Sequence, residues 1–594
     1  MTAQSVRPSQ FIMNYGVGSL FETADGPAVM LDFAKCGLFP DPQGGPGIVS
    51  DISKFEVTDH RLSASLLDGA HIFSLPTNED LCFPSGKPIY STQAFPGWSV
   101  CVQHPVDVIY RLRYDGSQSL NTGCPECGAI PRSEAWRKAR REATTFVRAC
   151  LAGHLDDLPW TVAVRHLPSC KDDKALFWRG TGSSLGNITI ECRSCAASES
   201  MRAIFTRPWP CSGRFPESRT VSGQCGKTST VLLKGAANLR VPEIVSALTI
   251  PPNDTPLHRI LGRSHFQTAL QASPISSRED LLALIGRVPR LVRADELKVI
   301  QEADEVAILR AILEIKQQSK PQSLKQMKVD EFNKLSGAAT YGAPPVQAKH
   351  PSMPHWFEVV KTDVRAVPRP GGHAIRVAPV NRLRVVMVQK GYTRPVGDQK
   401  QPPDVVDCHY SDGIHRWYPG VELSGEGIFL DFPGTQPPID GPHANQWAAQ
   451  FRKSKKAEHH PVFVWWHTYS HRLLTALAVD SGYSAAAIRE RVFVEIDEKT
   501  DQARGAALLY TCQPGGDGTL GGLVALAPDF KTILDNAERF VDSCSNDPIC
   551  EETEFRPGRL INGAACYACQ MASETSCEHR NTSLDRNILK DNMP

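Results

Sequence analysis

Residues 1 to about 115 alternate short apolar runs with Gly and Pro, as in Gly26-Pro-Ala-Val-Met-Leu-Asp-Phe33 and Val106-Asp-Val-Ile-Tyr-Arg-Leu112. Runs of that length between turn formers predict short strands and loops. From 116 to about 230 beta-prone segments such as Leu185-Gly-Asn-Ile-Thr-Ile-Glu191 sit among cysteines, a ribbon-like pattern. The period then changes. Leu281, Leu282, Leu284 and Ile285, followed by Val306, Ala307, Leu309, Ile312, Leu313 and Ile315, recur at helical spacing between charges. Residues 231–335 therefore read as a helical region of amphipathic segments packing on a neighbour. Residues 336–354, rich in Gly, Ala and Pro, read as a linker. Strand patterns return in 355–460, with Leu383-Arg-Val-Val-Met-Val-Gln389 and Gly427-Ile-Phe-Leu-Asp-Phe432. From 461 to 594 the pattern reads as an α/β domain: apolar Val462-Phe-Val-Trp-Trp466 leads into a helix through His471, and Arg491–Glu495 and Ala506–Tyr510 read as buried strands. The expected fold is multidomain α+β, strand-rich and zinc-ribbon-like at the N-terminal side, helical in the middle, and closed by a C-terminal four-cysteine zinc site.

A protein of 594 residues holds several domains, and 41% hydrophobic residues suffice for their cores. Lys plus Arg number 65 against 64 Asp plus Glu. That balance excludes a protein that coats nucleic acid by bulk charge and leaves only local basic surfaces. No apolar run approaches the roughly 20 residues of a membrane helix. The first thirty residues show no charged start, sustained apolar stretch and cleavage site. A cytoplasmic location without membrane association is the expectation.

In that setting, C-x-x-C spacing points to metal rather than disulfides. Most of the 18 cysteines fall in two bands. The first holds Cys124-Pro-Glu-Cys127-Gly and Cys192-Arg-Ser-Cys195, read as one zinc quartet with a long insertion between its knuckles; Cys211, Cys225 and His154 are alternative ligands. The second offers five thiols for four places. Cys566, Cys569 and Cys577 are taken as three, and Cys550, just after the turn-forming Asp547-Pro548, as the fourth, with Cys544 the alternative. Two structural zinc ions are expected, because an all-thiolate shell leaves no open position for a substrate.

His467-Thr-Tyr-Ser-His471 has metal-ligand spacing on a helix, but no Glu directly follows the first His, so packed or hydrogen-bonded histidines are the main reading. The alternative is a metal-dependent nuclease or hydrolase built on this pair. Gly226-Lys-Thr228 lacks the upstream Gly of a phosphate loop and precedes a strand-like run, which excludes ATP hydrolysis of that type. Two basic clusters are candidate nucleic-acid contacts: Arg137, Lys138, Arg140 and Arg141 beside Trp136, and Lys453 and Lys455 with Arg452 and Lys456. Charge runs of this kind are more often solvated faces.

Several motifs together resemble the DrmB family of the bacterial DISARM anti-phage system. They include Arg7-Pro-Ser-Gln-Phe-Ile, Ala149-Cys-Leu-Ala-Gly-His-Leu-Asp-Asp157, Val245-Ser-Ala-Leu-Thr-Ile-Pro-Pro252 and Gly425-Glu-Gly-Ile-Phe-Leu. They continue with His467-x-x-x-His471, Asp517-Gly-Thr-Leu-Gly-Gly, Asn562-Gly-Ala-Ala-Cys-x-Ala-Cys and Leu584-Asp-Arg. The last 130 residues also resemble the four-cysteine metal-binding domain that follows the motor in mitomycin-repair-type DNA helicases. The resemblance implies a non-catalytic subunit that pairs with a separate DrmA-like helicase, which carries the ATPase, and engages phage DNA in that complex. The knuckle Cys192-Arg-Ser-Cys195-Ala departs from a tidy ribbon by lacking a Gly after its second cysteine.

Overall fold

The computed structural model describes residues 6–23, 26–39, 47–49, 52–102, 104–111, 113–114, 120–121, 124–126, 141–170, 175–180, 184–223, 225–252, 254–318, 321–344, 355–396, 402–411, 416–480, 482–484, 486–514, 522–539, 541–553 and 561–594. The fold is mixed α+β, and it divides into two units. The first comprises 1–55, 75–244 and 389–419, and the second 56–74, 245–388 and 420–594. Both are assembled from segments distant in sequence.

The first unit is built of small antiparallel sheets. One has six strands, in the order Ser198–Ser200, Thr189–Cys192, Ala175–Arg179, Asp107–Arg111, Trp98–Cys101 and Arg141–Ala143. Another has four, in the order Leu155–Asp157, Phe146–Ala149, Thr228–Leu233 and Trp209–Pro210. Trp98, Ile109, Phe146, Trp160, Leu176, Ile190, Met201, Trp209 and Val231 fill one core drawn from both. The strands are short, so the apolar area each can bury is correspondingly small.

The second unit carries a helical layer and a large antiparallel sheet. Six helices, Pro256–Leu261, Ser264–Ala272, Arg278–Arg287, Ala294–Glu302, Glu305–Gln318 and Leu324–Tyr341, follow one another. Ser277 opens the third by accepting from the Asp280 amide, and the Asp280 carboxylate accepts from the Ser277 amide, a reciprocal cap. Leu281, Leu284, Ile285, Ile312 and Ile315 are buried as their spacing predicts, and Ile308 joins them. Val306 and Leu313 instead face solvent, since Ile308, Ala311 and Ile315 already complete the inward stripe of their helix. The segment read as a linker starts inside the helix Leu324–Tyr341, while 345–354 lie outside the described residues.

Four long strands run to one edge of the sheet, in the order Ala374–Thr393, Arg416–Asp431, Ala503–Pro514 and Arg489–Ile496. Val377 sits opposite Leu430, Phe429 opposite Leu508, and Val492 opposite Ala507. The region 461–594 reads as α/β in sequence, but its two strands pair antiparallel. Only residues 497–502 join them, too few for a parallel crossover. The region 355–460 also contains a helix, Gly441–Ser454.

The central helix, Pro461–Asp480, packs on the last two of these strands. It is apolar on nearly every face, the pattern of a helix enclosed by protein. Trp465, Trp466, Tyr469, Leu473 and Leu477 are each at most 1% exposed. His467 and His471 ride on this buried helix, so whatever they bind is interior.

Candidate metal centres

Sheet ends and the loops beside the central helix bring thiols, imidazoles and one carboxylate into five clusters among the described residues. A tetrahedral zinc shell has edges of about 3.8 Å between sulfurs and about 3.5 Å between sulfur and nitrogen, given its bond lengths. That standard tests each cluster.

In the C-terminal region Cys544, Cys550, Cys566 and Cys569 converge. Sulfur separations are 3.5 Å for Cys544–Cys566, 3.7 Å for Cys550–Cys569 and 3.7 Å for Cys566–Cys569. These match a four-thiolate shell. The Asn546 amide hydrogen and side-chain amide donate to the sulfurs of Cys544 and Cys566, at 3.4 Å each. Burial opposes ionisation of Cys566, but the Ala568 amide and neighbouring donors bring its thiol down to about 7. Burial pushes the Cys569 thiol up to about 12. A metal cation would ionise both, as thiolate ligation requires.

The frame of this centre is polar and specific. Asp547 accepts from the Cys544 amide at 2.6 Å and from Arg586 at 2.6 Å. Asn562 accepts from the Leu584 amide, and Asp585 accepts from the Ala564 amide and from Trp447. Gly563 lies so close to Asp585 that a β-carbon there would come within 2.3 Å of the carboxylate. The Asn562-Gly-Ala-Ala and Leu584-Asp-Arg signatures are thus one interlocked brace around the four thiols.

Cys577, expected in this quartet, is elsewhere. The Glu490 amide donates to the Ser576 carbonyl at 2.9 Å, which docks residues 573–577 on the edge strand and turns Cys577 inward. There it meets His467, His471 and Glu490. Cys544 takes the fourth place among the thiols instead.

The N-terminal quartet also differs from expectation. Cys192 and Cys195 join His166 and Cys170, not Cys124. The sulfurs of Cys170 and Cys192 are 3.7 Å apart, and Cys195 Sγ lies 3.6 Å from His166 Nδ1. The Leu167 and Ala197 amides lower the Cys195 thiol to about 6. Cys124 lies with Cys101 and His104, its sulfur 3.4 Å from His104 Nε2. Cys127 lies outside the described residues. The physical reason is topological: Cys192 ends a strand next to Ala175–Arg179, and the His166–Cys170 loop precedes that strand closely in sequence.

The remaining cluster unites Cys150, His154, Cys211 and Cys225. Cys150 Sγ is 3.3 Å from His154 Nδ1, 3.4 Å from Cys211 Sγ and 4.0 Å from Cys225 Sγ. Its four ligands sit at one end of the four-stranded sheet, where neighbouring strands contribute turns. His154, Cys211 and Cys225 are the alternative ligands read from sequence; Cys150, His166 and Cys170 are additions that the structure makes. Their signal is present as Cys150-x-x-x-His154 and His166-x-x-x-Cys170, both ligand-like spacings.

Of the basic candidates, Arg137, Lys138 and Arg140 lie outside the described residues, and of Arg141 only its backbone, in a strand, is described. Lys453 and Lys455 are exposed at the C-terminal end of the helix Gly441–Ser454. Cations there complement the helix dipole, which is sufficient reason for their presence. Gly226-Lys-Thr228 runs into the strand Thr228–Leu233, and Lys227 pairs with Asp404 at 2.6 Å. Asp517 and its glycine-rich turn lie outside the described residues. No helix among the described residues is long and apolar enough to cross a membrane.

Comparison with known proteins bears on these centres. Residues 7–241 match the model of a domain of unknown function, DUF8724, and residues 469–570 match the MrfA Zn-binding domain, which spans all four thiols of the C-terminal centre. A solved structure, the DUF1998 helicase MrfA bound to DNA, matches at 12% identity and a TM-score of 0.18. It covers 32% of this protein, which spans only 20% of that one, and a likeness at this score carries no argument. Over most of its length the protein resembles the DISARM protein DrmB of Bacillus paralicheniformis (strain ATCC 9945a / NCIMB 11709 / CD-2), with 28% identity across 529 residues, 83% of this sequence and 88% of that one.

Proposed function

We propose that this protein is a metal-stapled, non-catalytic subunit of bacterial anti-phage defence, which binds a separate helicase and helps it act on phage DNA. The observation that carries the reading is the extended similarity to a DISARM protein, joined to a zinc-binding domain whose four thiols have the spacing of a closed shell. Three structural zinc centres follow: Cys544, Cys550, Cys566 and Cys569; His166, Cys170, Cys192 and Cys195; and Cys150, His154, Cys211 and Cys225. Each supplies four protein donors, so the ion cross-links loops and has no place for a substrate.

The hydrolase alternative requires His467 and His471 to reach a substrate. Both are buried, at 0% and 2% exposure, on the enclosed central helix. That geometry favours the scaffold reading.

Co-expression with a candidate helicase subunit tests it. The expected outcome is a stoichiometric complex, lost together with one zinc per molecule in the variant Cys566→Ser/Cys569→Ser. Unchanged zinc content and solubility in that variant would remove the C-terminal centre from the account, and failure to form any complex would remove the helicase partner.

A further inference from the structure

His467, His471, Glu490 and Cys577 form a cluster outside the thiol centres, and its hydrogen bonds do not balance without a cation. His467 Nδ1–H donates to the Ser583 carbonyl at 3.3 Å, and His471 Nδ1–H donates to the Gln570 carbonyl at 2.6 Å. A carbonyl oxygen can only accept, so both protons are on Nδ1 and a neutral ring leaves Nε2 with a bare lone pair. Yet both Nε2 atoms face one acceptor, Glu490 Oε1, at 2.8 and 3.2 Å. His467 Nε2 also lies 3.3 Å from Cys577 Sγ.

Two neutral imidazoles would thus aim lone pairs at a carboxylate in an interior where Glu490 is 0% and Cys577 4% exposed. Protonating one ring still leaves the lone pair of the other against the same carboxylate oxygen. Protonating both places two cations with ring centres 4.8 Å apart against one carboxylate, a buried net charge that is costly to desolvate. A divalent ion resolves every mismatch. Two imidazole nitrogens, one carboxylate and one thiolate supply four donors, and the two anionic ligands neutralise the ion.

The geometry points to a further metal centre here, a closed site for a zinc-class divalent ion held by His467 Nε2, His471 Nε2, a Glu490 oxygen and Cys577 Sγ. Their donor atoms all lie within 4.8 Å of one another, and the sulfur–nitrogen separation is close to the roughly 3.5 Å of a tetrahedral shell. The surrounding groups are those that orient metal ligands. Backbone carbonyls fix both tautomers, the Ser470 hydroxyl donates to the other Glu490 oxygen, and the Asn581 amide donates to Cys577 Sγ at 3.3 Å. The site ties the middle of the central helix to the edge strand and to the 573–583 loop, so its role is to fix the interior of the unit.

The decisive experiment is an anomalous difference map from crystals of the wild-type protein, recorded on both sides of the zinc edge. The four-thiol centre serves as the internal standard. A peak between the two Nε2 atoms, as strong as that among the thiols, is expected. A peak among the thiols with none between the histidines overturns this inference and leaves the thiol centres standing; absence at both overturns both. As a second measurement, native mass spectrometry of His471→Asn/Cys577→Ala should show one zinc fewer per molecule than wild type. An unchanged count in a folded variant counts against the site, and if that variant does not fold the wild-type map decides.

Discussion

Asp157 is a carboxylate in an unfavourable place. Its side chain is 12% exposed, and burial, with Asp156 beside it, raises its pKa to about 6, although the Gly97 amide and Arg214 favour the anion. A carboxyl whose folded pKa exceeds its unfolded value stabilises fully below about pH 4, and that contribution is lost as pH rises through about 6. The loss amounts to at most about 3 kcal/mol, at 1.36 kcal/mol per unit. Asp157→Asn keeps the acceptor for Gly97 and removes the titration, so the stability of wild type relative to the variant should fall between pH 4 and 7. A constant difference across that range in denaturant unfolding would contradict this. Ala196 is a second strained position, with φ of 54° just after the Cys192–Cys195 knuckle. It occupies the left-handed place where a tidy ribbon has Gly, at a cost of about 1–2 kcal/mol to a residue with a β-carbon. Ala196→Gly should therefore raise stability by about 0.5–1 kcal/mol, since part of that strain is offset by the greater backbone freedom glycine loses on folding; a loss of stability would refute the assignment. At this scale the sequence revealed that Cys192 comes together with Cys195 and Cys566 with Cys569, because C-x-x-C is local. It could not reveal that Cys577 leaves its near neighbours for His467, since a backbone hydrogen bond to an edge strand decides that.

Among the elements, the strand Arg489–Ile496 has the greatest demands placed on it. Glu490 points to the histidine cluster, and Arg491 pairs with Glu331 at 2.8 Å and with Glu578 at 2.5 Å. Arg491 is 1% and Glu331 0% exposed, so this is a buried ion pair rather than a surface one. Removing one partner of a buried pair typically costs about 3–5 kcal/mol, and here the Leu248 amide at 3.0 Å and Arg61 at 3.6 Å retain part of the pairing of Glu331. Arg491→Met should lower the unfolding free energy by about 2–3 kcal/mol, toward the low end of that range, and a change below about 1 kcal/mol would show that Arg61 takes over the pairing of Glu331. The helices between 278 and 318 were legible from their period. The exposure of Val306 and Leu313 was not, because periodicity reports a stripe and not which part of a wide stripe finds a neighbour. Nor was the pairing of the C-terminal strands evident as antiparallel, since fully buried strands lose the alternation that marks a sheet with one wet face.

For the whole molecule, the two units are assembled from interleaved stretches of sequence, and segment-by-segment reading divides them differently. The order of motifs nonetheless carried the resemblance to DISARM proteins, because glycine and polar signatures such as Asn562-Gly563 and Asp585-Arg586 mark a brace rather than a single contact. The protein is a scaffold, on this reading, whose centres cross-link loops while the motor resides on a partner. The ATPase rate of the reconstituted complex, with and without DNA, compared with each subunit alone, tests that claim most directly. Hydrolysis is predicted only in samples that contain the helicase, at a rate that changes when this protein joins it; ATP turnover by the purified protein alone, or a helicase rate indifferent to its presence, would contradict it.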